Sequence, residues 1–218
     1  MLIVEDLALL LMDDESGTPA AAGTLHYAMG GALLVELALE GLVDVRDRKV
    51  VPTGDAPPQD PLLRGGWDKV AEKPRSVDSL LLKIGADVWK KVVDRLVDRG
   101  MVRREEKRVL GLFRTTSLPA ADTRHEEEVR QRIRAVLVDG QEPDPRTAAL
   151  TALLSASGAL PALRPKLAWS GDVARRAKEL ERGNWGAEAV SSAVTRTAAA
   201  IAASSAAVTV AVVSTVVT

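Results

Sequence analysis

One motif constrains this chain more than any other, because it is written twice, 59 residues apart. Leu37-Ala38-Leu39-Glu40-Gly41-Leu42-Val43 leads into Arg46-Asp47-Arg48-Lys49-Val50-Val51, and Leu96-Val97-Asp98-Arg99-Gly100-Met101-Val102 leads into Glu105-Glu106-Lys107-Arg108-Val109-Leu110. Each copy is an apolar helical stretch ended by glycine, followed by two short apolar runs around a charged knot. Glycine just past a helix supplies a left-handed cap, and the paired runs read as a hairpin. The sequence therefore predicts helix-plus-wing units, which bind charged polymers or surfaces more often than they catalyse.

The remaining segments read mostly as helices. Leu2–Met12 forms the first, stopped by Asp13 to Gly17, and residues 18–23 make a loop. From Leu25 to Glu40 the small and apolar residues predict a buried helix in which Gly30-Gly31 serves tight packing. A hairpin pairs Leu42–Val45 with Lys49–Val51 around Arg46-Asp47-Arg48. Leu62–Glu72 and Val77–Ile84 are short helices, with Ser76 as N-cap of the second. Val88, Val92, Val93, Leu96 and Val97 share one face of an amphipathic helix over Asp87–Arg99, and the second wing pairs Met101–Arg104 with Arg108–Phe113. After Thr123, Val129, Ile133, Val136 and Leu137 line one helix face, while Arg124, Arg130, Arg132 and Arg134 occupy the other. Helices over Arg146–Ser157 and Asp172–Glu181 follow.

Thr197–Thr218 carries no charge and is long enough to span a bilayer, but it is mostly Ala, Ser, Thr and Val without an aromatic belt. A helix apolar all round belongs in a core, so a buried central helix is expected there. The expected fold is mainly α: a single globular helical domain over residues 1–218, amphipathic helices around an apolar central helix, short β-hairpins, and an apolar extension from about 203 to 218.

Composition narrows the function. Zero Cys removes disulfides and thiolate metal sites and fits a reducing, cytoplasmic setting, and the acidic start Met1 to Asp6 lacks the basic flank of an export signal. The net charge of −1 hides a segregation: residues 1–63 hold 3 basic and 11 acidic side chains, whereas residues 64–114 hold 14 and 8. Such a basic middle can steer an anionic partner. His26 and His125 lack partners at metal-ligand or triad spacing, and His125 reads as part of a solvated first turn. Gly30-Gly31 and Gly65-Gly66 lack the context of a phosphate loop. No catalytic residue, metal or cofactor is expected, and a binding function remains.

Three segments, in order, resemble the Golgi phosphoprotein 3 family. They are Leu33-Leu34-Val35-Glu36-Leu37-Ala38-Leu39-Glu40-Gly41, then Asp55-Ala56-Pro57 with Asp60-Pro61-Leu62-Leu63, then Arg95 to Val102 running into Leu112-Phe113-Arg114-Thr115-Thr116. Ala135-Val136-Leu137 to Pro145-Arg146 adds a fourth match, so the resemblance spans about Leu2 to Arg196. It implies non-enzymatic, peripherally membrane-associated adaptors that bind phosphatidylinositol 4-phosphate in a basic pocket, recruit protein cargo and self-associate. The family's pocket Trp and Arg fall here at Ala21 or Ala22 and at Gly30. Its further basic residues correspond to Arg124 and Arg130, which become the expected lipid head-group contacts. Two alternatives stay open: a winged-helix nucleic-acid binder, disfavoured because Leu25–Glu40 has no side chains to read base edges, and an interaction scaffold that has lost the lipid pocket.

Overall fold

The computed structural model describes residues 1–20, 22–109, 113–163, 167–183 and 201. Its centre is α2 (Leu25–Leu39), whose residues from Ala28 to Ala38 are all buried, glutamate included. A helix this uniformly apolar has no solvent face to offer, and its neighbours cover it on every side. They are α1 (Ile3–Leu11), α3 (Pro61–Glu72), α4 (Val77–Gly85), α5 (Val88–Asp98) and α7 (Pro145–Ala156). On the far side of α1 lies α6 (Arg124–Leu137), which also packs on α7 and α8 (Gly171–Glu181). The fold is thus mainly α with short hairpins, as expected, and the helix at its centre is α2.

Close approach of α2 to α4 depends on two glycines. A Cβ at Gly30 would run into the carbonyl oxygen of Leu81, and one at Gly85 would run into that of His26. The helices meet backbone to backbone there, which is what the paired glycines predicted. Ile201 is buried over Gly31, 3.2 Å from where its Cβ would stand. The expected central helix over 197–218 and the extension from 203 otherwise lie outside the described residues.

Both copies of the repeated motif end in the same cap. The N–H of Gly41 donates to the carbonyl of Ala38 and that of Leu42 to Leu37, while Gly100 donates to Val97 and Met101 to Leu96. With φ of 72° and 70°, the two glycines complete Schellman caps. The hairpins differ from the sequence expectation in register. β1 (Val43–Arg46) pairs with β2 (Lys49–Pro52) so that Arg46 faces Lys49, and the turn is the two residues Asp47 and Arg48, both at positive φ. That is the primed turn whose twist suits a tight hairpin. A third strand, β3 (Arg75–Ser76), joins β2 unannounced, since two residues carry no alternation to read. Ser76 does occupy the N-cap of α4, but its side chain makes no capping bond.

The second hairpin begins later than Met101. β4 (Glu105–Val109) pairs with β5 (Phe113–Ser117), so Thr115 to Ser117 belong to the ladder and do not close it. Arg103 instead donates its N–H to the Pro119 carbonyl, and Val102 bridges Ala120. β-branched threonines suit a strand, which favours Thr115 and Thr116 in the ladder.

Inside the helical layers sits an ion network centred on the start of α1. Glu5 is fully buried and Glu36 is 3% exposed. Arg95 Nε lies 2.8 Å from Glu5 Oε1, Arg99 lies 3.1 Å from Glu5 Oε2, and Arg95 also reaches Asp60 at 2.8 Å. Glu36 accepts the N–H of Ile3 at 2.5 Å and pairs with Arg146, which in turn donates to the Met1 carbonyl. Carboxylates thereby satisfy N–H groups at the first turn of α1 that have no partner within the helix, and arginines neutralise the carboxylates.

Candidate functional site

Helix α6 carries the expected head-group residues, and it starts in a mixed environment. Glu126 and Glu127 in its first turn suit the helix dipole. Val129, Ile133, Val136 and Leu137 are buried against the domain, leaving the arginines to the rim.

Arg124 is the most exposed of these, and it is already engaged. Its guanidinium holds Asp122 through Nη2 to Oδ2 at 2.6 Å and Nε to Oδ1 at 3.0 Å. That hydrogen bond, helped by the Arg124 N–H, pulls the Asp122 carboxyl down to about 2. Arg130 folds back on Glu126 one turn earlier, and both side chains are largely buried. Six positions along a helix also turn the two arginines onto different faces. Arg134 pairs with Asp139 at 3.0 Å. On the other layer, Lys83 binds Glu72 and Lys90 binds Asp94, on helices that pack on α2, away from α6.

Arg132 is different. It is exposed and makes no ion pair among the described residues, although Glu128 stands at the i−4 position where helical spacing would pair them. It lines two adjoining depressions. One is open, about 370 Å³, and bounded by Glu128, Gln131 and Ala135. The other is a cleft of about 90 Å³ between α1, α6 and α7, with Val129, Ile133 and Leu150 on its apolar side and Asp6, Asp144, Arg146 and Thr147 on its polar side.

The polar side is built by local rules. Asp144 is the N-cap of α7 with Pro145 in the first turn, and its carboxylate accepts the N–H of Arg146 at 3.0 Å, that of Thr147 at 3.1 Å and the Thr147 hydroxyl at 2.5 Å. Burial alone would raise this carboxyl. The three hydrogen bonds, with the nearby charge of Arg132, outweigh it and hold the group below its ordinary range. Asp6, 7% exposed, takes the His125 ring Nε2 at 2.7 Å. His125 is therefore tied to α1 and half-buried, correcting the solvated turn expected for it, because α6 crosses α1 at its own first turn.

At Gly30 and Ala22 the pocket side chains implied by the resemblance are absent, and Ala21 lies outside the described residues. The Leu81 carbonyl closes position 30 to any side chain. Sequence reading passed over Arg132, Asp6, Asp144 and Arg146 as site residues. Asp144-Pro145 did carry a helix-start signal, whereas nothing in the sequence marks Arg132 as the arginine left unpaired.

Among the described residues no cluster of His, Asp and Glu is arranged to hold a metal ion. The fold is a helical domain whose rim carries polar groups that pair with one another or line a cleft. Residues 3–197 match the model of the Golgi phosphoprotein 3 (GPP34) family, and the chain belongs to that family of adaptors. A comparison with curated protein sequences returns no match. No helix among the described residues is long and apolar enough to cross a membrane.

Proposed function

We propose that this chain is a non-enzymatic peripheral membrane adaptor that meets anionic lipid head groups, of the phosphatidylinositol 4-phosphate kind, through the outer face of α6. The observation that carries the reading is Arg132, an exposed guanidinium that makes no ion pair among the described residues and lines two depressions. Arg124 lies on the same helix and can exchange Asp122 for a phosphate, since an ion pair exposed to water is weak and screened by salt. Arg130, held by Glu126, supports the helix and leaves the direct contacts to Arg124 and Arg132. Each basic side chain near an anionic surface contributes about 1 kcal/mol whichever lipid supplies the charge. Protein cargo and self-association follow as the family's adaptor role.

A nucleic-acid reading is weaker on geometry. The helix ahead of the first wing is α2, buried from Ala28 to Ala38, and cannot enter a groove.

Vesicle sedimentation tests the proposal. Partitioning should rise severalfold from neutral to anionic vesicles, fall with salt, and drop about fivefold in Arg132→Glu. Equal partitioning onto both vesicle types at low salt overturns it.

A further inference from the structure

The cleft between α1, α6 and α7 is lined by charges of both signs together with the apolar Val129, Ile133 and Leu150. A simple anion pocket would surround its ligand with cations. Here Arg132, which makes no ion pair among the described residues, shares the lining with Asp6 and Asp144. The Asp144 oxygens are committed to capping α7, and the Arg146 guanidinium to Glu36 and the Met1 carbonyl. Asp6 is not fully committed. More than nine-tenths buried, it gives Oδ1 to His125, and its other oxygen has no hydrogen-bond partner among the described residues. Arg132 and Asp144 line the same cleft without forming an ion pair.

We propose that this cleft binds a phosphoethanolamine group, the head of a zwitterionic phospholipid. Its phosphate would accept hydrogen bonds from the Arg132 guanidinium. Its ammonium would donate to the free Asp6 oxygen, and its two methylenes would lie over Val129, Ile133 and Leu150. A cleft of about 90 Å³ is of the order of the volume such a group fills. Both ends of the ligand must be present for both halves of the site to be satisfied, and that requirement distinguishes the cleft from the α6 rim, which asks only for negative charge. The inference rests on the membrane reading for the source of the ligand, while its chemistry stands on the cleft alone.

Titration of the full-length chain with soluble O-phosphoethanolamine, followed by amide shifts of Val129, Arg132 and Thr147, tests the chemistry. Binding should be at least tenfold tighter than that of inorganic phosphate, ethanolamine or phosphocholine, whose methylated ammonium cannot donate to Asp6. Arg132→Gln, an exposed substitution, should weaken it at least tenfold. Equal affinity for inorganic phosphate, indifference to Arg132→Gln, or no saturable shift each overturns the inference. Asp6→Asn should erase the preference over inorganic phosphate, and if that variant does not fold, the phosphocholine comparison decides the ammonium end. Vesicles separate the source. Recruitment to anionic vesicles that phosphatidylethanolamine does not enhance leaves the adaptor reading standing and removes this one. Binding of the soluble group with no partitioning onto any vesicle overturns the lipid source and the adaptor reading together.

Discussion

The two helix-glycine-hairpin units share a sequence pattern and a cap, yet the molecule uses them differently. In the first, α2 is the buried axis of the domain, and its hairpin gains a third strand. In the second, α5 is amphipathic, burying Val88, Val92, Val93 and Leu96 while Lys90 and Lys91 face solvent, and its hairpin stays two-stranded. Counted back from the glycine, equivalent positions do opposite things. Gly30 touches the α4 backbone where the second unit has the partly exposed Trp89. Five residues before each glycine stand Glu36 and Arg95, of opposite sign, and both grip the start of α1. The local code thus repeats the joint, and the side chains around it decide whether the helix becomes core or cover.

Breaking that comparison at its strongest point means giving α2 a side chain where only α5 tolerates one. Gly30→Arg should cost more than the ~1–3 kcal/mol of ordinary overpacking, because the obstacle is a backbone carbonyl that cannot rotate away. It should abolish cooperative unfolding in a denaturant melt. Trp89→Ala should lose at most half of the ~3–5 kcal/mol typical of a fully buried aromatic.

Next come the two grips on α1. Glu36→Ala removes the acceptor of the buried Ile3 N–H and the carboxylate of the half-exposed Arg146, and should destabilise by about 1–3 kcal/mol. Arg95→Ala should cost less, since Arg99 still neutralises Glu5. Equal losses in urea titrations would remove the asymmetry between the units.

The second grip also carries a pH signature. Burial raises the Asp60 carboxyl, but Arg95 and the N–H groups of Leu62 and Leu63 outweigh it and leave it depressed. A carboxyl depressed in the folded state adds stability above its unfolded value near 4, and that stability disappears as pH falls through the folded value. Urea midpoints should therefore drop below about pH 4, and by less in Asp60→Asn.

The caps themselves should behave alike. Gly41→Ala and Gly100→Ala should each cost about 1 kcal/mol, because both positions need the same left-handed backbone. Smallest and opposite in sign, Arg48→Gly should stabilise by about 0.5–1 kcal/mol by relieving positive φ in the two-residue turn of the first unit. Thermal melts resolve both effects.

Most helices were legible because their apolar spacing and end signals agree. The Gly30-Gly31 pair announced close packing, and Val129, Ile133, Val136 and Leu137 announced the buried face of α6. The hairpin registers were less legible, since short charged strands carry little alternation. The candidate site was the least legible part. Arg124, Arg130, Arg132 and Arg134 look interchangeable in sequence, and three of them hold carboxylates close by along the chain, whereas Arg132 leaves Glu128 alone at the same spacing at which Arg130 takes Glu126.

Family membership, the glycine caps, the buried central helix and the want of a metal or thiol motif are all written in the sequence, because they depend on residue type and spacing along one chain. The tertiary structure alone decided that Glu36 and Arg95 clamp α1, that α4 closes position 30, and that Arg132 and Asp6 line one cleft. These are pairings between helices far apart in sequence, and a charge shows no preference for one partner over another until packing sets the distances between them.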